Sequence, residues 1–208
     1  MGFVAGVDSS TQSTKVELRD TESGALIASS SSRHPITSPP CSEQDPNAWW
    51  SALVEAFAQL GNHRQSVTAI SVAAQQHGLV VLDKYDNVIR PAKLWNDTES
   101  APEATALVNQ LGATSWAKAC GSVPVAGFTI TKLAWLANHE PQNFNRIHRI
   151  MLPHDYLIWR LTGSHVTDRG DVSGTGWWDP KSGQYRPDLL NLIDHAEWTD
   201  KLPKILDH

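Results

Sequence analysis

An α/β domain with a mixed β-sheet is the fold class that the sequence predicts. Three successive strands come first, and tight turns join them. A helix and a further apolar strand follow, and helical and extended segments then mix along the rest of the chain. With 208 residues, the chain has room for one sizeable domain or two small ones around a real hydrophobic core.

The first two strands enclose a polar turn. Phe3–Val7 is apolar and predicts a buried strand, and we expect Asp8 where that strand ends. Residues 9–14 form a tight return rich in hydroxyl and amide groups, and Lys15 begins an alternating second strand. Such a turn can hold phosphate oxygens, and a carboxylate beside it can orient a hydrated Mg²⁺. A plain hairpin with a polar turn also explains these residues, and on this stretch alone it is the favoured interpretation.

The following elements are predicted from apolar periodicity and capping residues. Ala25–Ser31 is the third strand. Asp45 and Pro46 are typical of a helix N-terminus, and the helical pattern covers residues 48–60. Val67–Ala74 is rich in β-branched and small apolar residues, which predicts a buried strand. Further strands are predicted over residues 79–83 and 92–95, and helices over residues 99–111, 130–139, 156–161 and 187–193.

Polar residues follow two of these strands. Gln75-Gln76-His77-Gly78 comes directly after Val67–Ala74, at the place where open α/β sheets bind ligands. The amides and the imidazole can bind the hydroxyls of a polyol, or they can bond to nearby loops, and the residues support both interpretations equally. Asp97, in Trp95-Asn96-Asp97, is first interpreted as a cap of the following helix.

Charge and composition exclude several function classes. The net charge of −5, without a Lys/Arg cluster, disfavours nucleic acid and anionic membrane as partners. There is no apolar stretch of transmembrane length and no basic leader. Two isolated cysteines indicate a reducing cytoplasm. The sequence contains no phosphate-binding P-loop, no dinucleotide fingerprint, no nucleophile elbow, and no histidine or cysteine spacing typical of zinc.

Six segments together resemble a known family. They are Asp8–Lys15, Ser42–Pro46 with Trp49-Trp50, the two polar strand ends at Gln76–Gly78 and Trp95–Asp97, Gly127–His139 with its spaced Gly127, Thr129, Lys132 and Trp135, and Asp168–Asp179. On these segments the whole chain is similar to the N-terminal half of the FGGY carbohydrate kinases, which belong to the actin-like ATPase superfamily. The resemblance is strongest to the branch that phosphorylates D-xylulose.

The resemblance implies a fold, a reaction and a set of site residues. Residues 1–208 would form an actin-like (ribonuclease H-like) α/β domain, the sugar-binding N-terminal domain of a kinase. The reaction would transfer the γ-phosphate of ATP, with Mg²⁺, to D-xylulose and give D-xylulose 5-phosphate. The implied roles are Mg²⁺ orientation and catalysis for Asp8, phosphate contacts for Thr11, Gln12, Ser13 and Lys15, and sugar binding for Gln76 and His77.

Two departures from the family pattern carry expectations of their own. Ser10 stands where the phosphate turn usually has glycine, which predicts an altered or slightly strained turn. No segment matches the glycine-rich stretch of the second, nucleotide-binding domain, which carries the general-base aspartate in the family. We therefore expect residues 1–208 to be a fragment that is folded but inactive alone.

The resemblance leaves alternatives open. The chain can belong to a kinase of ribulose, gluconate or glycerol, or it can be a non-catalytic sugar-binding module. The Gln76-His77 pair favours a ketose, whereas an Arg-Glu pair there would indicate glycerol. The predicted partners are a sugar and ATP, with neither nucleic acid nor membrane, in the cytoplasm, and the surface that would face a second domain allows a homodimer.

Overall fold

Short strands and helices alternate along the chain. The structure is a computed structural model that describes residues 2–206. The strands are β1 (Phe3–Ser9), β2 (Ser13–Asp20), β3 (Leu26–Arg33), β4 (Glu43–Gln44), β5 (Val67–Ala74), β6 (Val80–Leu82), β7 (Ala92–Lys93), β8 (Arg149–Met151), β9 (Val166–Thr167), β10 (Trp178–Asp179), β11 (Gln184–Tyr185) and β12 (Lys204–Ile205). The helices are α1 (Pro46–Gln59), α2 (Ala101–Leu111), α3 (Ala113–Cys120), α4 (Thr129–His139), α5 (Pro141–Phe144), α6 (Pro153–Thr162), α7 (Arg169–Val172) and α8 (Pro187–Leu190), with 3₁₀ segments at Gly61–Ser66 and Thr199–Lys201.

The chain divides into two compact units. The first contains the residues up to Ile36 together with Asp45–Gln75, and the second contains Thr37–Gln44 together with the residues from Gln76 onward. The chain passes directly from the first unit to the second at the Gln75–Gln76 peptide bond.

A mixed four-stranded sheet forms the first unit, as the sequence predicts. Its strand order is β3-β2-β1-β5, with antiparallel pairing among β1, β2 and β3 and parallel pairing between β1 and β5. The antiparallel pairs follow from the short turns, whereas the parallel pair needs the crossover through α1. Because β1 and β5 are parallel, their carboxyl ends lie at the same edge of the sheet.

Helix α1 begins where the sequence predicts. Asp45 caps it by accepting a hydrogen bond from the Asn47 amide, and Pro46 is its first residue. The helix packs against β2 and β3 and buries Trp49 and Leu53 completely or almost so. Core packing therefore accounts for Trp49.

The prediction of a buried strand at Val67–Ala74 is only half correct. The strand forms, but most of its residues are exposed or half-exposed, and Ile70 is 43% exposed. The strand lies at the edge of the sheet, and α1 packs mainly against β2 and β3, so the side chains of β5 are left largely uncovered. β1 itself alternates, with Ala5, Val7 and Ser9 buried and the residues between them facing outward.

The second unit has its own core. Trp116, Trp177 and Trp198 are at most 2% exposed and pack with leucines and isoleucines from α2, α4, β8 and α8. Core packing thus explains these tryptophans. Helix α3 was not predicted, because it follows α2 after Gly112 alone, with a φ of 87° at that glycine. None of the helices described for residues 2–206 combines the length and the apolar character needed to cross a membrane.

Candidate functional site

The β1–β2 turn is shorter than the predicted return and consists of residues 10–12. The Ser10 amide donates to the Ser13 carbonyl at 3.0 Å. Beneath the turn, the hydroxyls of Ser9 and Thr14 lie 3.1 Å apart, and Thr14 is 2.8 Å from His34 Nε2. Ser10 is not among the residues with positive φ, so the strain expected from its replacement of glycine is absent from the turn.

Asp8 lies within β1, one residue before the strand ends. Its side chain is on the outward face of the sheet, beside the groove of about 600 Å³ that Lys15, Glu17 and Arg19 also line. Lys15 is opposite Asp8 in the strand register, but its ammonium pairs with Glu17 at 2.6 Å. In the described part of the chain, the Asp8 carboxylate has no hydrogen-bond partner, so both of its oxygens can accept from a ligand.

The predicted phosphate-contact residues lie on this hairpin. Thr11 is half-buried and its hydroxyl is 3.4 Å from Gln75 Oε1. Gln12 has an exposed side chain, while its carbonyl accepts from the His34 amide at 2.8 Å. Ser13 is half-buried at the start of β2. The Gln75 amide donates to the Ser9 carbonyl at 3.0 Å, which brings the end of β5 beside the turn.

His77 adopts a backbone conformation that the sequence does not predict. Its φ is 62°, in the left-handed region that few residues other than glycine occupy. The Thr129 hydroxyl donates to the His77 carbonyl at 3.2 Å. The ring stacks on Phe128 with centroids 5.5 Å apart, and its Nδ1 lies 2.9 Å from the Gly174 carbonyl oxygen.

The hydrogen bond to the Gly174 carbonyl determines which nitrogen of the His77 imidazole donates and which can accept. A carbonyl oxygen only accepts, so Nδ1 must carry the proton of this hydrogen bond. With a single proton on the ring, Nε2 keeps a lone pair that can accept from a ligand hydroxyl. Gln76, the preceding residue, is exposed and has no hydrogen bond within residues 2–206.

Asp97 is not the helix cap that was first favoured. Helix α2 begins later, with Ser100 at its cap position, and the fully buried Asp97 accepts from the amides of Ser42 and Glu99. Its carboxylate is also 3.3 Å from the Lys93 ammonium. Asp97 therefore belongs to a buried ion-pair network.

Lys93 is the centre of this network. Its ammonium is 2.5 Å from Glu99, 3.0 Å from Glu43 and 3.8 Å from the centroid of the Trp135 ring. Burial by itself would lower the pKa of Lys93, but hydrogen bonds to Glu99 and Glu43 outweigh it and raise the pKa. The protein's own ammonium thus supplies the positive charge that these carboxylates require.

A second group of carboxylates surrounds His154. Its Nδ1 is 3.1 Å from Asp171, 3.6 Å from Asp155 and 3.8 Å from Asp168. Burial by itself would lower the pKa of His154, but the Asp155 and Asp171 carboxylates outweigh it and raise the pKa to about 10. The imidazole is therefore a cation at neutral pH.

Comparison with known proteins supplies the family. The sequence profile of the N-terminal domain of the FGGY family of carbohydrate kinases matches residues 3–208. The chain belongs to this family. FGGY kinases of known structure share the α/β fold with its mixed sheet, so the predicted fold class is confirmed.

Relatives within the FGGY family include several xylulose kinases. The xylulose kinase of Streptomyces coelicolor is 50% identical over 192 residues, which cover 92% of this chain and 40% of that protein. The crystal structure of xylulose kinase from Bifidobacterium adolescentis superposes with a TM-score of 0.90 at 41% identity, over 99% of this chain and 47% of the other. A gluconate kinase from Lactobacillus acidophilus has a TM-score of 0.89 at 28% identity, over 99% of this chain and 42% of the other. The chain spans less than half the length of these relatives.

The structure adds residues that sequence reasoning did not assign to the site. Phe128 and Gly174 hold the His77 ring, and Lys93 neutralises Asp97. One signal was available for Thr129, Lys132 and Trp135, whose spacing matches the FGGY pattern, but spacing alone does not say what each side chain touches. Gly174 lies in the family-like segment Asp168–Asp179, but nothing in that segment indicates a contact with His77, 97 positions away.

Proposed function

We propose that this chain is the sugar-binding N-terminal domain of a longer kinase that transfers the γ-phosphoryl group of ATP to the 5-hydroxyl of D-xylulose. The observation that carries the proposal is the arrangement around His77, a left-handed residue whose ring nitrogen Nε2 is left to accept from a hydroxyl. The 50% identity to a xylulose kinase over most of the chain supports the choice of sugar.

In this proposal, His77 and Gln76 orient the sugar. The Nε2 lone pair of His77 accepts from one hydroxyl, and the exposed Gln76 carboxamide can both donate and accept. Fixing the sugar in one orientation lowers the barrier, because phosphoryl transfer depends on positioning more than on covalent chemistry. The sugar hydroxyl oxygen forms a bond to the γ-phosphorus, the bond to the β-phosphate oxygen breaks, ADP leaves, and the hydroxyl proton passes to a general base outside this domain.

In this proposal, Asp8 on the β1–β2 hairpin would bind the metal, and the turn after it would bind phosphate. An outward-facing carboxylate that has no hydrogen-bond partner among residues 2–206 is a suitable donor for a hydrated divalent cation, and the proposed cation is Mg²⁺. Mg²⁺ neutralises charge on the phosphate oxygens when bound. Thr11, Gln12 and Ser13 supply hydroxyl, amide and backbone donors, and Lys15 supplies a positive charge.

The test is a coupled assay of ADP release by the full-length kinase with D-xylulose, D-ribulose, D-gluconate and glycerol. We expect turnover to be highest with D-xylulose, and we expect residues 1–208 alone to be inactive.

His77→Ala should raise the KM for D-xylulose by roughly tenfold or more with little change in the KM for ATP. His195→Ala, at an exposed histidine remote from these contacts, is the control. A higher turnover with another substrate would show that D-xylulose is not the sugar of this kinase. Absence of turnover with every substrate would favour a non-catalytic binding module.

A further inference from the structure

The side chain of a buried lysine reaches the loop whose last residue, Phe128, stacks on His77. Lys132, in α4, is completely buried, and its ammonium donates to the Ala126 carbonyl at 2.6 Å. Ala126 belongs to the loop of residues 121–128, which connects α3 to α4 and ends in Phe128, the ring that stacks on His77.

Several side chains contact the carbonyl groups of this loop. Three groups lie within reach of the Ala126 carbonyl: Ser100 Oγ at 3.1 Å, Thr131 Oγ1 at 3.2 Å and Lys132 Nζ at 2.6 Å. The Thr131 hydroxyl has one proton and a shorter contact, 2.8 Å, to the Phe128 carbonyl. Ser100 Oγ is 3.1 Å from both the Ala126 carbonyl oxygen and Thr131 Oγ1, so its single proton can go to either. Lys132 therefore makes the shortest contact to the Ala126 carbonyl.

Burial of the charged Lys132 ammonium costs folding free energy. Burial lowers the pKa of Lys132 to about 7, an effect that the charge of Lys93 adds to and that of Asp97 opposes. Within residues 2–206, Lys132 has no carboxylate within ion-pair distance, and the Ala126 carbonyl is its acceptor. An apolar side chain of similar length would fill the same space without the cost of desolvating a charge. Packing alone therefore does not account for a lysine at this position.

The loop geometry connects Lys132 to the sugar-binding imidazole. The Phe128 amide donates to the Val125 carbonyl at 2.8 Å, so the loop turns tightly just before the stacked ring. Lys132 holds Ala126, the first of the two residues between Val125 and Phe128, and Thr129, the next residue after Phe128, donates to the His77 carbonyl. A shift of Ala126 would therefore displace Phe128 and Thr129, two of the groups that contact His77.

We propose that Lys132 is a positioning residue for sugar binding, which acts through the Ala126 carbonyl to hold Phe128 against His77. This inference rests on the proposed role of His77 as a sugar ligand. Lys132 does not itself contact the sugar or the phosphate in this mechanism. It limits the orientations of the imidazole before the sugar binds, which reduces the ordering that binding would otherwise require.

The test compares Lys132→Met, which removes the donor and keeps the length, with Lys132→Gln, which keeps a neutral donor. In the full-length kinase, Lys132→Met should raise the KM for D-xylulose roughly tenfold, with kcat and the KM for ATP changed by less than about twofold. Lys132→Gln should recover part of the loss. Lys118→Met, at an exposed lysine of α3, is the control for the substitution itself.

A second readout separates positioning from general stability. Proton NMR of the His77 ring should show the upfield ring-current shift from Phe128 in the wild type and its loss in Lys132→Met, while the melting temperature stays the same or rises because a buried charge is gone. If Lys132→Met does not fold, Lys132→Gln carries the test, because its shorter neutral donor should give a smaller rise in the KM for D-xylulose and a partial loss of the His77 ring shift.

The outcomes distinguish this inference from the function on which it rests. An unchanged KM for D-xylulose and an unchanged His77 ring shift in folded Lys132→Met would overturn the positioning role, provided that His77→Ala still weakens sugar binding. If His77→Ala has no effect either, the proposed function itself fails.

Discussion

Gly174 packs against His77 so closely that a Cβ atom added to Gly174 would overlap the Cε1 and Nδ1 atoms of the imidazole. The same glycine supplies the carbonyl oxygen that lies 2.9 Å from His77 Nδ1. Its φ is not positive, so the need for glycine here comes from the close approach of the ring and not from the backbone conformation.

Gly174→Ala should therefore displace the His77 ring without straining the backbone at residue 174. We expect the KM for D-xylulose in the full-length kinase to rise roughly tenfold or more, with a smaller change in kcat. Steady-state kinetics with varied sugar and saturating ATP measures both quantities. Ser173→Ala, at the exposed neighbouring residue, is the control. Wild-type kinetics in Gly174→Ala would show that the ring need not occupy this position.

The sequence predicts the first unit well because its signals are local. Alternation marks β1 and β2, short turns impose their antiparallel pairing, and Asp45 with Pro46 marks the start of α1. The exposure of β5 was not predictable, because an apolar run does not reveal whether a neighbouring element covers both faces. The pairing of β6 with β8 joins segments about 70 residues apart, and no local pattern specifies it.

For the candidate site, too, the sequence shows the local signals but not the long-range contacts. The position of Gln76 and His77 after a strand is visible in the sequence, and so is the polar turn after Asp8. The left-handed φ of His77 and its contact with Gly174 depend on a segment almost 100 residues later. Asp97 was first interpreted as a cap because its cation, Lys93, and its amide donor, Ser42, come together only in the folded chain.

Removal of the Lys93 ammonium should destabilise the second unit strongly. Lys93→Met would leave the buried Asp97 without its cation, while Glu43 would keep its ion pair with Arg90. Breaking a buried pair in this way typically costs about 3–5 kcal/mol. Urea denaturation of residues 1–208 gives the free energy of unfolding, with Lys118→Met as the matched surface control. A loss no larger than that of the control would show that the network does not depend on Lys93.

His154 should make the stability of the chain depend on alkaline pH. Its folded-state pKa, about 10, lies above the ordinary value of 6.5, so its stabilisation is complete below pH 6.5 and is lost as the pH rises through 10. The expected slope between these values is about 1.4 kcal/mol per pH unit. Lys132, whose pKa is lowered to about 7, contributes the opposite slope in much of this range, so the wild-type curve alone does not isolate His154.

A difference between two variants isolates the His154 contribution. His154→Lys keeps a cation near Asp155 and Asp171 at every pH in this window, whereas wild-type His154 loses its charge toward pH 10. The free energy of unfolding of His154→Lys minus that of the wild type should therefore rise between pH 6.5 and 10. A difference that stays constant over this range would mean that His154 is not charged in the folded chain.

Asp8→Asn tests the metal role proposed for the β1–β2 hairpin. The carboxylate is exposed, so its replacement should leave the melting temperature nearly unchanged, while kcat of the full-length kinase should fall by about 100-fold or more. In the proposed role, Asp8 would hold the Mg²⁺ that offsets charge developing during phosphoryl transfer, so the loss should appear in kcat. Asp200→Asn, at an exposed aspartate in the second unit, controls for the loss of one surface charge.

Titration of activity with Mg²⁺ adds a second measure, because a variant that lacks the carboxylate should require more metal for half-maximal turnover. Near-normal kcat together with an unchanged Mg²⁺ requirement in a folded Asp8→Asn enzyme would remove Asp8 from the catalytic machinery and assign the metal to groups outside this hairpin.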